Sequence, residues 1–364
     1  MGSDVILAIN PGTTTTRCAL FAVSQDDVLP VAEHALDHDE TVMAGFASIP
    51  DQLNFRKDCV QAFLENHLAD HRLVACAGRG GMLTPVPSGV IAINDALVEF
   101  ALHRPVYLHA SNLGAPLAGG IASPLGLPSF IVDPVSVDEL TDVARVSGFD
   151  ETPRFSFVHA LNIRASARRL AAKLDKPFNE LRAVVAHLGA GFSIAALTNG
   201  RLVDNSNRME ISPFSPERAG GLPPLPLIEL CYSGKYARQE LLAKLYGKGG
   251  VFSLLGTKDM RKVEAMIAGG DTFAELVFDA MLYQVGKAVG AMAAVLDFRL
   301  DAVILTGGLA NSQQVAASLR ARTKHLAPLE VYPGSDECLA LAQGVARVLR
   351  GQETAMNWPV GQAA

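Results

Sequence analysis

Residues 4–23 read DVILAINPGTTTTRCALFAV. Residues 5–9 and 18–23 are unbroken apolar runs, each short, and Asn10-Pro11-Gly12 stands between them. Short apolar runs bounded by turn residues read as buried strands rather than as a helix, so the stretch is expected to form strand, tight turn, strand. The turn carries Asn10, Gly12, the hydroxyls of Thr13, Thr14, Thr15 and Thr16, and Arg17. Gly12 permits backbone angles a side chain forbids, and consecutive N–H groups in such a turn can form an anion-binding concavity. The hydroxyls, the amide and the guanidinium add donors suited to a phosphoryl group. No Lys-Ser or Lys-Thr follows, so this is not the GxxxxGK[ST] loop. A hairpin with a polar turn is the competing reading of this stretch alone.

The theme recurs. Residues 183–204, AVVAHLGAGFSIAALTNGRLVD, give a strand ending at His187, the turn Leu188-Gly189-Ala190-Gly191, a second strand, and Asn199-Gly200 before a third. Asn-Gly between apolar runs is a strong hairpin signal. Two such three-strand units, each opening with a turn of phosphate size, imply an internally duplicated α/β chain whose two related domains face one cleft.

Bulk properties agree with two domains. The chain has 364 residues, long for one core, and is 49% hydrophobic and 19% charged, which excludes general disorder. A formal net charge of -6 argues against general nucleic-acid binding. The five cysteines are scattered and form no CxxC pair, so reduced thiols in a cytoplasmic protein are expected. No signal peptide is read at the start. The longest apolar stretch, 272–296, carries Asp279, Gln284 and Lys287 and reads as a core helix, not a membrane span.

Other segments supply candidate site residues. Residues 34–40 hold His34, Asp37, His38, Asp39 and Glu40; a solvated polar loop is expected rather than a metal site. His67 and His71, four apart, would share a helix face at the surface. The strand at 73–77 runs into Gly78-Arg79-Gly80-Gly81, which would place a guanidinium where an anion can approach the backbone; pairing with a nearby carboxylate is the rival role. Three glycines around one arginine suggest no packing purpose. Asp133 closes the strand at 130–132, and the crevice beyond strand ends is where α/β sheets bind ligands; a capping role competes. Residues 213–226, PFSPERAGGLPPLP, should be an ordered loop presenting Arg218, with a helix over 227–248. Residues 301–309, DAVILTGGL, give a strand, Gly307-Gly308, and a helix capped at Asn311-Ser312. The strand at 329–332 should be the last, followed by a closing helix from about 338 to 349 and a frayed tail from Gly351.

Taken in order, INPGTTTTR, GRGGML, FIVDPVSVDEL, HALN, HLGAGFS, PFSPERAGGLP, ILTGGLANS and VYPGSDECLALAQGVARVL resemble the acetokinase family, and within it the butyrate kinases, over essentially the full length. That family lies in the superfamily of acetate and sugar kinases, heat-shock ATPases and actin. The resemblance implies a duplicated two-domain actin-like ATPase (ribonuclease H-like) α/β fold with an interdomain cleft. It implies an N-terminal lobe of 1–137 plus 338–364 on the substrate and phosphate side, and a nucleotide-side lobe of 138–337. The implied reaction is transfer of the γ-phosphoryl group of ATP to a short-chain fatty acid, reversibly. Asp133 and Glu337 would help hold Mg2+, directly or through water, with Asp336 the alternative to Glu337. Arg218 and His187 would stabilise the transition state, and Arg79 would meet the substrate carboxylate. Asn10, Gly12, Thr13, Thr15, Arg17, Gly189 and Gly191 would flank the phosphates, and Gly307 and Gly308 would lie near adenosine. A homodimer or larger assembly is implied as well.

Three positions depart from the family pattern: Arg17 replaces the usual lysine, Ala190 interrupts the usual GGG, and the arginine of GRGG stands slightly later than its acetate kinase counterpart. The rival readings are a kinase for another short or branched acid, a nucleotide-binding switch of the actin type, and a non-catalytic homologue. The joint presence of Asn10, Asp133, His187, Arg218 and Glu337 argues against the last.

Overall fold

The opening stretch forms β1 (Asp4–Pro11) and β2 (Thr15–Val23), antiparallel, with Asn10 opposite Arg17. Residues 5–9 are fully buried, as continuous apolar strands covered on both faces must be. The structure, a computed structural model, describes residues 2–206 and 212–360. The chain divides into two units, Met1–Asp138 with Asp336–Ala364, and Glu139–Ser335.

The first unit holds a seven-stranded sheet. β3 (Val28–Asp37) pairs with β2, and β4 (Arg72–Arg79) runs parallel to β1 on its other side. β6 (Ser129–Val132) runs parallel to β4, and β5 (Val90–Ala92) lies antiparallel to β6. The final strand β12 (Met356–Asn357) pairs with β5. Its order is therefore β12-β5-β6-β4-β1-β2-β3. Val5, Leu7, Ile9, Val60, Phe63, Leu113 and Leu117 form its main core, which joins the sheet to the helices Leu53–His67 and Gly114–Ala122.

The second unit repeats the pattern. β7 (Ala183–Leu188), β8 (Phe192–Thr198) and β9 (Arg201–Ser206) form an antiparallel meander, and β10 (Ala302–Gly307) and β11 (Leu329–Pro333) add in parallel beside β7. The order β11-β10-β7-β8-β9 matches β6-β4-β1-β2-β3 strand for strand. The long helix Thr272–Val295 lies on this sheet and buries Val277, Met281, Val285 and Val289 in the core. It is a core helix, and among the described residues no helix is long and apolar enough to cross a membrane.

Several expectations need correction. The tail is docked rather than frayed: β12 extends the sheet, Trp358 is buried beside Ile91 and Leu97, and Asn94 Nδ2 donates to its carbonyl at 2.7 Å. β11 is thus not the last strand. The proline-rich segment becomes helical at Pro224, because proline is tolerated in a first turn, and the region beyond is two helices, Pro224–Tyr232 and Arg238–Tyr246. His67 ends its helix while His71 lies outside it, bonded to Ser3 N at 3.2 Å, so the two share no helix face. His34 and His38 lie on or at the end of β3, not in a loop, and His38 is buried against the Thr16 hydroxyl at 2.8 Å. Among the described residues no three His, Cys, Asp or Glu side chains gather as a metal cluster.

Candidate active site

In the first unit, parallel register brings three candidates to one end of the sheet. Ile9 pairs with Gly78 and Arg79 with Val132, so Asn10, Arg79 and Asp133 stand at the carboxyl ends of the neighbouring strands β1, β4 and β6. Ligands bind at that edge in open α/β sheets. Asp133 is buried with φ +39, a backbone state unusual for a side-chain-bearing residue, and its Oδ1 accepts from Gly89 N at 2.8 Å. Glu337 opens the closing helix Glu337–Leu349, which packs so tightly that a Cβ on Gly344 would collide with Val132. Its carboxylate meets the guanidinium of Arg79 and the side-chain amide of Asn10. Asp336 is committed differently: it caps the same helix, accepting from Leu339 N at 3.0 Å. Of the two acids, Glu337 is therefore the one that faces the strand-end cluster.

The glycines around Arg79 do pack, contrary to expectation. A Cβ on Gly78 would collide with the Gly114 carbonyl, one on Gly80 with Pro134, and one on Gly81 with Asn112. Gly78 and Gly81 let the chain lie directly against the start of the Gly114–Ala122 helix and the residues before it, and Gly80 against Pro134, and so the three fix where the arginine emerges. Arg79 itself takes the carboxylate partner that was its rival role.

The threonine turn closes with Gly12 N donating to Thr15 O at 2.8 Å. Thr13 and Arg17 are exposed and Thr16 is buried. Two elements hold the turn from beneath, which sequence reasoning missed: His38, and the fully buried Arg56 of the Leu53–His67 helix.

In the second unit, β7 carries His187 one residue before its end, opposite Thr306 of β10. His187 is buried and stacks on His159, with ring centres 4.3 Å apart and planes 22° from parallel. His159 Nδ1 lies 2.8 Å from Ser193 Oγ, and Ser193 is the register partner of His187. The HALN motif contained this histidine, but nothing local in it showed that it supports His187. Arg218, from a distant loop, is seated against the glycine turn that follows. A Cβ on Gly191 would collide with its guanidinium, so glycine is required there. Burial holds the pKa of Arg218 below the ordinary arginine value, yet arginine keeps its proton in proteins. Its Nη1 is buried with no hydrogen-bond partner among the described residues. A buried cation with an unspent donor is costly unless an anion completes it.

Beside this turn lies a cavity of about 770 Å3, bordered by Gly189, Ala190, Lys258, Gly308, Asn311 and Ser312 among others. Its volume lies within the usual range for small-molecule sites. Gly307 has φ +92 and sits where a Cβ would collide with Leu188, so β10 turns sharply into the cavity wall. Ser312 caps the helix Gln313–Thr323 on this wall, accepting from Val315 N at 3.1 Å, while Asn311 bonds back to Gly308 O at 2.9 Å.

Residues 154–341 match the Acetokinase family. Over 350 residues, 96% of this chain and 98% of the relative, the sequence is 43% identical to "Probable butyrate kinase 2" of Caldanaerobacter subterraneus subsp. tengcongensis. The chain belongs to the acetokinase family. As an acetokinase it is a kinase, a phosphotransferase enzyme. Solved structures agree on the fold: acetate kinase of Porphyromonas gingivalis aligns with a TM-score of 0.78 at 19% identity, covering 95% of this chain and all (100%) of that one. Propionate kinase of Francisella tularensis subsp. tularensis aligns with a TM-score of 0.71 at 20% identity, covering 94% and 98%. This acetokinase thus has the mixed α/β, two-sheet architecture of the acetate kinases in the actin-like ATPase superfamily.

Proposed function

We propose that the enzyme transfers the γ-phosphoryl group of MgATP to the carboxylate of a short-chain fatty acid, butyrate foremost, and runs the reaction in reverse. A carboxylate oxygen attacks phosphorus, the bond to the ADP oxygen breaks, and the acyl phosphate leaves. The nucleophile is already ionised at neutral pH, so no general base and no proton transfer are needed. Catalysis reduces to holding two anions in line and stabilising charge on the transferring group.

The observation that carries this reading is Arg218, a buried guanidinium with a spare donor, seated on the Gly191 turn beside a nucleotide-sized cavity. Arg218 and His187 are assigned to the transferring phosphoryl group. Asn10, Gly12, Thr13, Thr15, Arg17, Gly189 and Gly191 are assigned to phosphates, Gly307 and Gly308 to adenosine, and Arg79 to the carboxylate of the acid. The Mg2+ that travels with the nucleotide favours oxygen donors and keeps several waters, so two carboxylates suffice for it. Asp133 and Glu337 supply such donors. Butyrate as acceptor draws on the 43% relative, whose name carries that acid. Five free cysteines support a reducing, cytoplasmic setting.

The test is acyl phosphate formation, trapped with hydroxylamine, from MgATP and acids from acetate to hexanoate with branched isomers. Product should peak at butyrate. A peak elsewhere would reassign the acid, and no product with any acid despite MgATP binding would sink the reading.

A further inference from the structure

The threonine turn rests on a charge that the reaction above does not use. Arg56 is fully buried, and four hydrogen bonds account for it. Nη2 donates to Thr13 O at 3.0 Å; Nη1 donates to Thr15 O at 2.9 Å and to Thr16 Oγ1 at 2.8 Å; Nε donates to Gln52 Oε1 at 3.1 Å. Every acceptor is neutral, and no carboxylate pairs with it among the described residues. A buried arginine normally has a paired anion, because desolvating an uncompensated charge is expensive.

The effect on the turn follows from where these bonds land. Thr13 O and Thr15 O accept from the buried Arg56, and Thr14 O accepts from His38 N at 2.8 Å, one position beyond the last β2–β3 pair. With these three successive carbonyls engaged, two by Arg56 beneath and one by the neighbouring strand, the polar groups left to the turn are its N–H groups. Those of Thr13 and Thr14 have no hydrogen-bond partner among the described residues. Occupied carbonyls, free amides and a cation below them make a concavity of positive potential, which suits an anion.

We propose that Arg56 is the positioning residue of a phosphate site on this turn: it engages the carbonyls of Thr13 and Thr15 and supplies from beneath the positive charge that a bound phosphate completes. The proposal rests on the phosphate role given to the turn above, and it goes beyond that role in assigning the buried arginine. Arg56 touches no substrate; it acts through Thr13, Thr15 and Thr16.

The experiment compares wild-type protein with Arg56→Lys and Arg56→Gln in binding to MgATP and to adenosine, by titration calorimetry without acid. Lysine keeps the charge but loses the fork, and glutamine loses both. Each should weaken MgATP by about tenfold or more, as expected for losing bonds to a charged donor, and glutamine more than lysine. Adenosine, lacking phosphates, should bind all the proteins equally. Equal weakening of both ligands, or unchanged MgATP affinity, would overturn the proposal. If the Arg56 variants do not fold, Thr16→Val removes one anchor and keeps the guanidinium; it should show the same selective loss, smaller, and its absence would overturn the proposal. Because binding is measured without turnover, failure of the acid-kinase reading is detected separately, in the hydroxylamine assay.

Discussion

The guanidinium of Arg79 pairs with the carboxylate of Glu337, and the same carboxylate accepts from Asn10. A cation assigned to the acid substrate and an anion assigned to the metal thus neutralise each other. Glu337→Gln keeps the shape and removes the charge. It should raise the Mg2+ concentration needed for half-maximal rate and lower kcat by about 100-fold, the scale of losing one preorganised electrostatic contact. A variant with unchanged Mg2+ dependence would confine Glu337 to holding Arg79.

Arg218→Ala should lower kcat by about 100- to 1,000-fold and leave MgATP affinity nearly unchanged, since a group that acts only in the transition state contributes little to ground-state binding. Parallel steady-state kinetics and direct binding check this. Near-normal kcat would remove Arg218 from the transition-state role.

Gly191→Ala and Ala190→Gly form a contrasting pair. A methyl at Gly191 would occupy the place of the Arg218 guanidinium, so kcat should fall toward the Arg218→Ala value while the protein stays folded. Ala190 is exposed on the cavity wall. Removing its methyl should change the KM for ATP and leave kcat within about twofold, as expected for a contact made equally in ground and transition states. Thermal melts recorded beside the kinetics separate misfolding from misplacement.

The pH dependence of stability should carry a His38 component. Burial, with Arg56 nearby, holds its pKa below the ordinary 6.5, while Asp37 opposes. Between the lowered folded pKa and 6.5, the unfolded chain binds more protons than the folded one. His38 therefore costs nothing above 6.5 and progressively destabilises the fold as pH falls below it. Urea unfolding from pH 8 to pH 5 should show a steeper loss in wild type than in His38→Gln. Identical slopes would contradict the assignment.

No residue of the helices Pro224–Tyr232 and Arg238–Tyr246 is buried, although Leu225, Ile228 and Tyr232 are 74%, 50% and 87% exposed. We propose that a second copy of the chain covers this apolar surface, in line with the oligomer that the family resemblance implies. Light scattering coupled to size exclusion should give a dimer or larger, and Leu225→Glu with Tyr232→Glu should shift it toward monomer. A wild-type monomer would exclude self-association through this face.

What could be read from sequence was local. The strands around Asn10 and His187 follow from short apolar runs and turn residues, and Asn199-Gly200 turns as expected, with φ +53 and +70. Asn10, Arg79 and Asp133 do stand at strand ends, because strand ends are where turns occur. Contacts between distant segments were not legible. Arg56 lies 41 residues from Thr15, and nothing in LNFRKDCV marks it as the floor of the turn. The glycines beside Arg79 looked idle because the Gly114–Ala122 helix they admit is far along the chain. The tail looked frayed because two residues of strand and one buried Trp358 give no periodic signal.

The ends of the chain meet in one sheet: β1 begins the first unit, while Glu337–Leu349 and β12 complete it. The second unit, Glu139–Ser335, is continuous in sequence. On the ribosome the order of maturation is thereby inverted. At about 5–20 residues per second, the N-terminal sheet waits for tens of seconds after its own strands emerge before its last helix and edge strand are made. The later-made unit has all its residues first. During that interval β5 is an open edge and the core face beneath Gly344 is bare, so the nascent first unit exposes an unpaired strand and apolar surface until residues 337–357 appear.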